Sequence, residues 1–393
     1  LWSVGGSWNI YKEKFFQADF VDMLKLRASY GIGGNIGRNT APYLIASYYD
    51  SSLVDGMAGS VNTPPNKDIR WEKTTTVNVG VDFALFRHRL SGTIEYYNKY
   101  SVDLLAAING SPTQGFGYTT LMTNNGKMVN RGVEITLSGE IIRQKDFSWN
   151  ASLLNAFNRN KVKHISVQPS LWDSRISMPT SYPMVGKPLY GIYAYKWAGL
   201  NENGDPQVYD AENNVTSGPA RDYHALVYCG TTVPIHNASL TNVLRYKGFE
   251  FSAMLILDAG HKLRSSNIPS INMSNGRITS TAKGIVDRWT QPGDVTDVPR
   301  LLFSNDTENF NTHRTELYRY SDLFVYDASN IRLSNISLAY RVPAHWCKKI
   351  SLSGARLQFN VENVATFAFD SKANYDLGGK VKPNYVWGLY LNF

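Results

Sequence analysis

Residues that could do chemistry are few and widely spaced in this chain. Residues 201–205 (Asn-Glu-Asn-Gly-Asp) carry oxygen side chains like part of a calcium loop, but they lack its three spaced carboxylates and its distal bidentate Glu. Residues 31–37 are glycine-rich, yet the Gly-x-Gly-x-x-Gly spacing of a phosphate loop fails because position 36 is Ile. We interpret the first segment as a solvated turn and the second as a strand that leads into a flexible loop.

Enzyme, metal and nucleic-acid signatures are weak throughout. The chain has no Gly-x-Ser-x-Gly, Gly-Lys-Ser/Thr or His-Glu-x-x-His motif. Its seven histidines show no paired ligand spacing, and neither do Cys229 and Cys347. The net charge of +8 comes from scattered Lys and Arg without a run of four. The sequence therefore predicts no catalytic residue, metal or cofactor, and no nucleic-acid partner.

Aromatic side chains are the remaining candidates for ligand contact. The chain has 24 Tyr, 17 Phe and 9 Trp. An aromatic face stacks on sugar rings and apolar groups while a polar tip forms hydrogen bonds. The aromatics that we expect in long connections, where a ligand could reach them, are Trp172, Tyr182, Tyr190 and Tyr228. Packing within the loops or contact with a partner protein is the alternative for each, whereas Trp149 and Trp387 suit a girdle at a lipid interface.

The elements that position these residues follow a period of two. Val77, Val79, Val81 and Phe83 alternate with polar residues and Gly80, and the last nine residues alternate in the same way. The apolar segments are also long, since 89–105 exceeds an ordinary strand and suits a tilted membrane strand. None of the 16 prolines falls in a strand that we assign. The pattern predicts an all-β, antiparallel transmembrane β-barrel with eleven strands: 1–10, 22–32, 73–84, 89–105, 128–139, 148–160, 237–246, 249–262, 328–341, 351–363 and 384–393.

The connections between these strands alternate sharply in length. Short turns lie near 84–88, 140–147, 247–248 and 342–350. Long segments lie near 33–72, 106–127, 161–236, 263–327 and 364–383, and 188–211 is expected to form an extra hairpin. Outer-membrane barrels have short periplasmic turns and long extracellular loops, whereas a soluble sandwich has no reason to place its long loops on one side. Cys229 is then extracellular and Cys347 periplasmic, so the two cannot form a disulfide.

Several segments of the chain carry recognisable motifs: 24–31 with Gly34-Asn35, 69–76, 80–83, 90–92 with 95–97, 125–134, 158–162, 246–249, 287–290, 327–333 and the terminal Phe393. Together they resemble the SusC/RagA family of TonB-linked outer-membrane transporters of the Bacteroidetes. The motifs occur in the family's order over nearly the whole chain, and they are specific as a set.

The resemblance implies that residues 1–393 are the C-terminal half of a larger, 22-stranded barrel. The family's plug domain and TonB box match nothing here. An open sheet leaves unpaired edges that lipid does not tolerate, which also requires further strands. The implied function is TonB-dependent import of an oligosaccharide or oligopeptide across the outer membrane. The implied partners are a SusD-like surface lipoprotein, the TonB-ExbB-ExbD complex acting through the N-terminal part, the remaining strands and plug, and outer-membrane lipid.

Two other classes of function stay open at this stage. A passive porin or adhesin would use a similar barrel but would lack a plug and TonB box. A soluble glycan-binding β module would also alternate apolar and polar residues, and it would purify without detergent.

Overall fold

The computed structural model describes residues 1–37, 42–52, 56–109, 113, 120–167, 173–218, 222–273, 281–303, 312–349, 351–378 and 382–393. In chain order the strands are β1 (Trp2–Asn9), β2 (Val21–Asn35), β3 (Ile45–Ser51), β4 (Gly56–Thr63), β5 (Glu72–Leu85), β6 (Leu90–Asn109), β7 (Thr120–Arg143), β8 (Phe147–His164), β9 (Gly191–Tyr195), β10 (Trp197–Leu200), β11 (Pro206–Tyr209), β12 (Val215–Thr216), β13 (Leu226–Thr231), β14 (His236–Tyr246), β15 (Phe249–Ala259), β16 (Lys262–Arg264), β17 (Asn272–Met273), β18 (Leu302–Phe303), β19 (Val325–Asp327), β20 (Asn330–Arg341), β21 (Gly354–Ala368) and β22 (Asn384–Asn392).

Helices in the described residues are short. The α-helices are α1 (Ser174–Ser177), α2 (Thr312–Arg319), α3 (Ala344–Lys348) and α4 (Asn374–Leu377), and 3₁₀ turns cover Ile10–Lys12, Tyr223–Ala225, Lys283–Asp287, Asp322–Phe324 and Ser371–Ala373. No helix in the described parts of the chain has the length and apolar character to cross a membrane.

One antiparallel sheet of eleven strands dominates the fold. Its order is β1-β2-β5-β6-β7-β8-β14-β15-β20-β21-β22. These barrel strands coincide with the eleven that alternation predicted, and neighbours in the sheet follow one another along the chain once the loop strands are left out. Within the described residues β1 and β22 do not pair with each other, so this part of the barrel is open.

Connections of two lengths emerge at opposite ends of the sheet, as predicted. At one end the chain turns within 86–89, 144–146 and 247–248, or through the short segments 10–20 and 342–353. At the other end it makes the excursions 36–71, 165–235, 260–329 and 369–383. We refer to these as the turn end and the loop end, and short turns identify the former as periplasmic.

The register divides the sheet into two chemically different faces. Residues directly opposite each other on paired strands share a face. Leu389 lies opposite Leu357, and Trp387 opposite Phe359. The row through Phe359 continues to Leu338 of β20 and Phe251 of β15. This apolar face, here named the outward face, suits lipid, and the opposite, polar face lines the lumen.

The most deeply buried part of the molecule lies in the long loops. Tyr193, Tyr195, Val208, Leu226 and Leu317 form one cluster. Ile271, Tyr318 and Phe324 form another. We name the packed parts of 173–231 and 262–327 the loop module. Barrel strands instead bury little within this chain, because their two faces meet lipid and the lumen.

Two predictions differ from the structure in detail. The segment 106–127 is not mainly a loop, since β6 and β7 pair as far as Asn109 and Thr120 through register shifts near Leu104. The predicted extra hairpin is present, with its turn at 201–205, but it is narrower than 188–211, because β10 pairs with β11 whereas β9 pairs with β13. In both places antiparallel pairing satisfies backbone groups that a free loop would leave to water.

Candidate functional site: the lumen wall and the loop module

Ion pairs cover the lumen face of β2, β5 and β6. Arg27 Nε lies 3.2 Å from Asp82 Oδ1, and Arg27 Nη2 lies 2.6 Å from Glu95 Oε2. Thr93 also donates its hydroxyl to Asp82 at 3.0 Å. These strands bring together three side chains from positions 27, 82 and 95 because the register places them side by side on one face. The result is a polar wall whose charges are largely compensated.

A second stretch of the lumen face forms a recess between β7, β8, β14 and β15. Its volume is about 430 Å³, and Glu134 and Asp258 supply its carboxylates. Asp258 accepts a hydrogen bond from Asn237 Nδ2 at 2.6 Å and lies 3.4 Å from Arg332 Nη2. Glu134 lies directly opposite Glu95. Sequence reasoning missed this wall, although Glu95 and Glu134 occupy polar positions of the alternating strands.

Near the turn end, Glu250 connects two arginines across the lumen face. Its carboxylate lies 2.8 Å from Arg245 Nε and 3.0 Å from Arg356 Nη2. The three residues come from β14, β15 and β21. Charge pairing therefore continues along the lumen face to the periplasmic end.

The four predicted ligand-contact aromatics do not form one cluster. Trp172 lies outside the described residues. Tyr190 follows a proline-bearing turn and is half exposed, and its carbonyl accepts a hydrogen bond from Thr232 N–H at 2.9 Å. Tyr228 packs against Tyr193, with ring centroids 5.9 Å apart, and Lys187 Nζ lies 4.8 Å from its ring. Burial raises the pKa of the Tyr228 hydroxyl.

Tyr182 belongs to the turn that follows α1. Its amide donates to the carbonyl of Met178 at 3.1 Å, and its carbonyl accepts from Arg175 Nε at 3.4 Å. Its ring is partly exposed. Among the described aromatic contacts, none joins the rings of Tyr182, Tyr190 and Tyr228. Tyr190 is therefore the most accessible of the three described candidates.

The segment 201–205 is a turn with Glu202 and Asn203 exposed, and internal hydrogen bonds hold its backbone. Asn201 Oδ1 accepts from the amides of Asn203 and Asp205, both at 2.9 Å. The Asp205 carboxylate is bound by Arg300 at 3.0 and 2.8 Å and by Arg314 Nε at 3.1 Å. Two guanidinium groups occupy its oxygens, so this carboxylate is not available to a cation.

Arg314 is the central polar group of the loop module. Besides Asp205, it donates to the carbonyl of Ile271 at 3.1 Å, to Asn272 Oδ1 at 2.6 Å and to the carbonyl of Arg300 at 2.7 Å. Burial lowers the pKa of its guanidinium from the usual value, and the charge of Asp205 opposes that shift. Sequence reasoning did not identify this residue, because nothing in the pattern around α2 relates it to a turn more than a hundred residues earlier.

A second, partly buried arginine connects strands of the module. Arg264 in β16 donates to the carbonyl of Tyr193 at 2.6 Å and to the carbonyls of Arg319 and Ser321 at 3.2 and 3.3 Å. Trp197 N–H donates to Asp322 Oδ1 at 2.9 Å. These contacts hold the module in one arrangement. Within the part of the chain that the structure describes, no group of three or more His, Cys, Asp or Glu could bind a metal ion.

The chain matches known proteins along nearly its full length. Residues 1–364 match the family described as TonB dependent receptor-like, beta-barrel. TonB-dependent receptor P3 of Formosa agariphila is 26% identical over 98% of this chain and 39% of that protein. TonB-dependent receptor SusC of Bacteroides thetaiotaomicron is 26% identical over 92% of this chain and 36% of that protein.

Solved structures show the same fold. The structure of the RagAB peptide transporter superposes with a TM-score of 0.77 at 24% identity, covering 100% of this chain and 43% of that one. The structure of the RagAB peptide importer in its closed-closed state superposes with a TM-score of 0.76. The chain thus spans less than half the length of the relatives that it matches. The two-faced sheet and the match over residues 1–364 show that the chain belongs to the TonB-dependent receptor β-barrel family of outer-membrane proteins.

Proposed function

We propose that this chain is the C-terminal part of a barrel that imports an oligomeric nutrient across the outer membrane. One observation carries the proposal: eleven consecutive strands present an apolar face to lipid and an ion-paired polar face to the lumen, with the long loops at one end. A polar wall of this kind suits packing against a plug and contact with a hydrated solute. A soluble module would have no use for an apolar face that runs across eleven strands.

The proposed partners follow from the same architecture. A SusD-like lipoprotein would contact the loop end, because the loop module presents structured surface there. TonB-ExbB-ExbD would act from the periplasm through the plug region of the complete protein. The resemblance to the SusC/RagA family implies import of an oligosaccharide or an oligopeptide, and the name of one related structure, the RagAB peptide transporter, contains the second class.

Uptake by cells expressing the complete protein tests this function. Fluorescent oligosaccharides and oligopeptides of matched size are offered to wild-type cells, to cells lacking the protein and to cells lacking TonB. We expect uptake of one of the two classes that disappears in both mutants. Uptake that persists without TonB would support a passive porin instead, and no uptake of either class together with lost surface attachment would support an adhesin.

Affinity purification from the native membrane tests the partner. A tag on the complete protein should isolate a surface lipoprotein in a stoichiometric amount, even in detergent. Isolation of the barrel alone would contradict the proposed lid.

A further inference from the structure

A cluster of four cations lies on the outward face of the barrel, immediately above its apolar band. Along β8 the outward positions change from Leu153 and Phe157 to Arg159 and Lys161. Lys163 lies at a register shift between β7 and β8 and lines the same recess as these cations. Arg131 of β7 lies directly opposite Arg159, just as Val133 lies opposite Phe157. The change from apolar to basic therefore takes one step of two residues, about 7 Å along the strand.

These cations line a recess with an apolar floor, named here the basic recess. Its volume is about 400 Å³. Val129, only 5% exposed, lies at its base, and Val233, Pro234 and Ile235 close one side. The recess opens at the loop end, where β14 separates from β8.

Backbone hydrogen bonds hold the walls of the basic recess in place. The amide of Asn158 donates to the carbonyl of Ile235 at 2.8 Å. Farther along β8, the amide of Val162 donates to the carbonyl of Lys187 at 2.9 Å, and the amide of Gly186 donates to the carbonyl of Val162 at 2.8 Å. The recess is therefore formed by paired backbone rather than by a loose loop.

The charge of the recess is uncompensated. All four cations have exposed side chains, and no carboxylate lines the recess. Among the described residues, none of the four forms an ion pair with Asp or Glu. Arg131 Nε instead lies 3.2 Å from Asn98 Oδ1, and the Arg159 guanidinium lies 5.4 Å from the centroid of the Phe157 ring.

We propose that the basic recess binds the phosphate group of a lipid headgroup in the outer leaflet. Phe157, Tyr96 and Val133 on the same face are exposed to the bilayer, so the cations directly above them stand at headgroup level. Guanidinium groups bind phosphate oxygens in bidentate geometry, and ammonium groups add positive charge beside them. The apolar floor accommodates the start of an acyl chain. This inference rests on the outer-membrane location of the family and not on the proposed import.

The test uses the complete protein extracted in mild detergent from its native outer membrane. The variant carries Arg131→Gln, Arg159→Gln, Lys161→Gln and Lys163→Gln. A control changes net charge equally on the periplasmic turns, with Lys14→Gln, Arg87→Gln, Lys145→Gln and Lys348→Gln. Lipid phosphate that co-purifies with each protein is measured, and folding is checked by heat-dependent gel mobility. If the fourfold variant does not fold, Lys161→Gln and Lys163→Gln, both at exposed side chains, are measured singly.

We expect bound lipid phosphate to fall about tenfold or more in the recess variant and to stay at the wild-type level in the control. Arg159→Lys should retain more bound lipid than Arg159→Gln. Equal lipid in wild type and the recess variant would overturn the proposal.

A second measurement separates lipid from free anion. The lipid-depleted protein is titrated with inorganic phosphate, and in parallel it is placed in bilayers with and without an anionic phospholipid. We expect retention of the anionic phospholipid that depends on the four cations and weakens with salt. Binding of inorganic phosphate with no preference for the anionic bilayer would refute a lipid site.

Discussion

At the scale of single residues, the loop aromatics occupy contrasting environments. Tyr190 is half exposed at the loop end, whereas the Tyr228 ring packs between Tyr193 and the ammonium group of Lys187. Deep burial raises the pKa of Tyr195 and Tyr318 above their ordinary value. Exposed tyrosine is therefore suited to a ligand, and buried tyrosine to the core of the module.

Replacing Tyr190 should affect uptake without affecting folding, if the chain contributes to import as proposed. Tyr190→Ala removes an exposed ring and should raise the half-saturating substrate concentration several-fold, because stacking with the substrate is lost. Tyr190→Phe keeps the ring and serves as the matched control. Concentration-dependent uptake by whole cells measures both, and unchanged uptake in Tyr190→Ala would assign the ring to another role.

The two cysteines should react very differently with a maleimide. Burial raises the pKa of the Cys229 thiol from 9.0 to about 11, which reduces the reactive thiolate at neutral pH roughly a hundredfold. Labelling needs the thiolate. As long as the pH is below the pKa of the thiol, the labelling rate should therefore increase about tenfold each time the pH is raised by one unit. Cys347 is fully buried within α3.

Labelling intact cells with an impermeant maleimide over a range of pH measures both rates. We expect slow, pH-dependent labelling of Cys229 and none of Cys347 until the protein is unfolded. Cys229→Ser provides the background. The two thiols are free in the structure, as their predicted positions on opposite sides of the membrane require. Fast labelling of Cys229 at pH 7 would contradict its burial.

A charge on the outward face of β22 should be poorly tolerated. Leu389→Arg places a guanidinium toward the bilayer, at an expected cost of about 2–4 kcal/mol near the mid-plane. Gln358→Arg is the matched control, since Gln358 lies opposite Gly388 at the same depth but on the lumen face. Urea unfolding of the complete protein in bilayers compares the two. Equal losses would mean that the faces are assigned incorrectly.

At the scale of elements, α2 joins distant parts of the loop module: Leu317 and Tyr318 enter its two apolar clusters, and Arg314 is its buried polar contact. Arg314 is 3% exposed and joins the turn before β11, strand β17 and the segment before β18. Removing one partner of a buried pair leaves the other charge and several carbonyl groups without compensation. The loops at this end therefore behave as one folded unit rather than as independent excursions.

Arg314→Met should loosen the loop module by about 3–5 kcal/mol and leave the membrane strands intact. Protease added to outer membranes should cleave the variant within 173–327 much faster than the wild type. Arg288→Met, at an exposed arginine on the same module, is the control and should be cleaved at the wild-type rate. Rapid cleavage of the control, or none of the Arg314 variant, would show that Arg314 does not stabilise the module.

At the scale of the whole molecule, the sheet is open and has two edge strands that need further strands to pair with. The edges β1 and β22 each have one neighbour among the described strands. Unpaired backbone groups in hydrocarbon cost several kcal/mol each, so both edges must pair with further strands before the sheet can span a membrane. The share of the relatives that the chain covers agrees with this requirement.

Residues 1–393 produced alone should fail to form a stable barrel. Refolded into detergent or bilayers, they should show no heat-dependent shift in gel mobility and should aggregate through β1 and β22. The complete protein, refolded in parallel, should show the shift. A monomeric, heat-modifiable barrel from these residues alone would contradict the half-barrel interpretation.

Alternation by itself determined the membrane strands. Side chains on a strand point to opposite faces in turn, so rows such as Val77 to Phe83 identify a strand that is half in lipid without any tertiary information. The lengths of the connections follow from counting the residues between strands. These lengths predict which connections share an end of the sheet, and they place Cys229 and Cys347 at opposite ends. The eleven strands of the sheet confirm both.

Only the tertiary structure decided what the polar residues do. Arg314 and Asp205 are 109 residues apart, and Arg27, Asp82 and Glu95 meet through sheet register, so neither network has a local signature. The pairing of β9 with β13 depends on the packing of distant loops. The same packing brings Arg300 and Arg314 to Asp205 in the turn at 201–205. The basic recess has the same origin. Three of its cations alternate with Asn160 and Val162 along β8, and Arg131 lies on β7. Residues 233–235, which precede β14, close one side and make this pattern a bounded site.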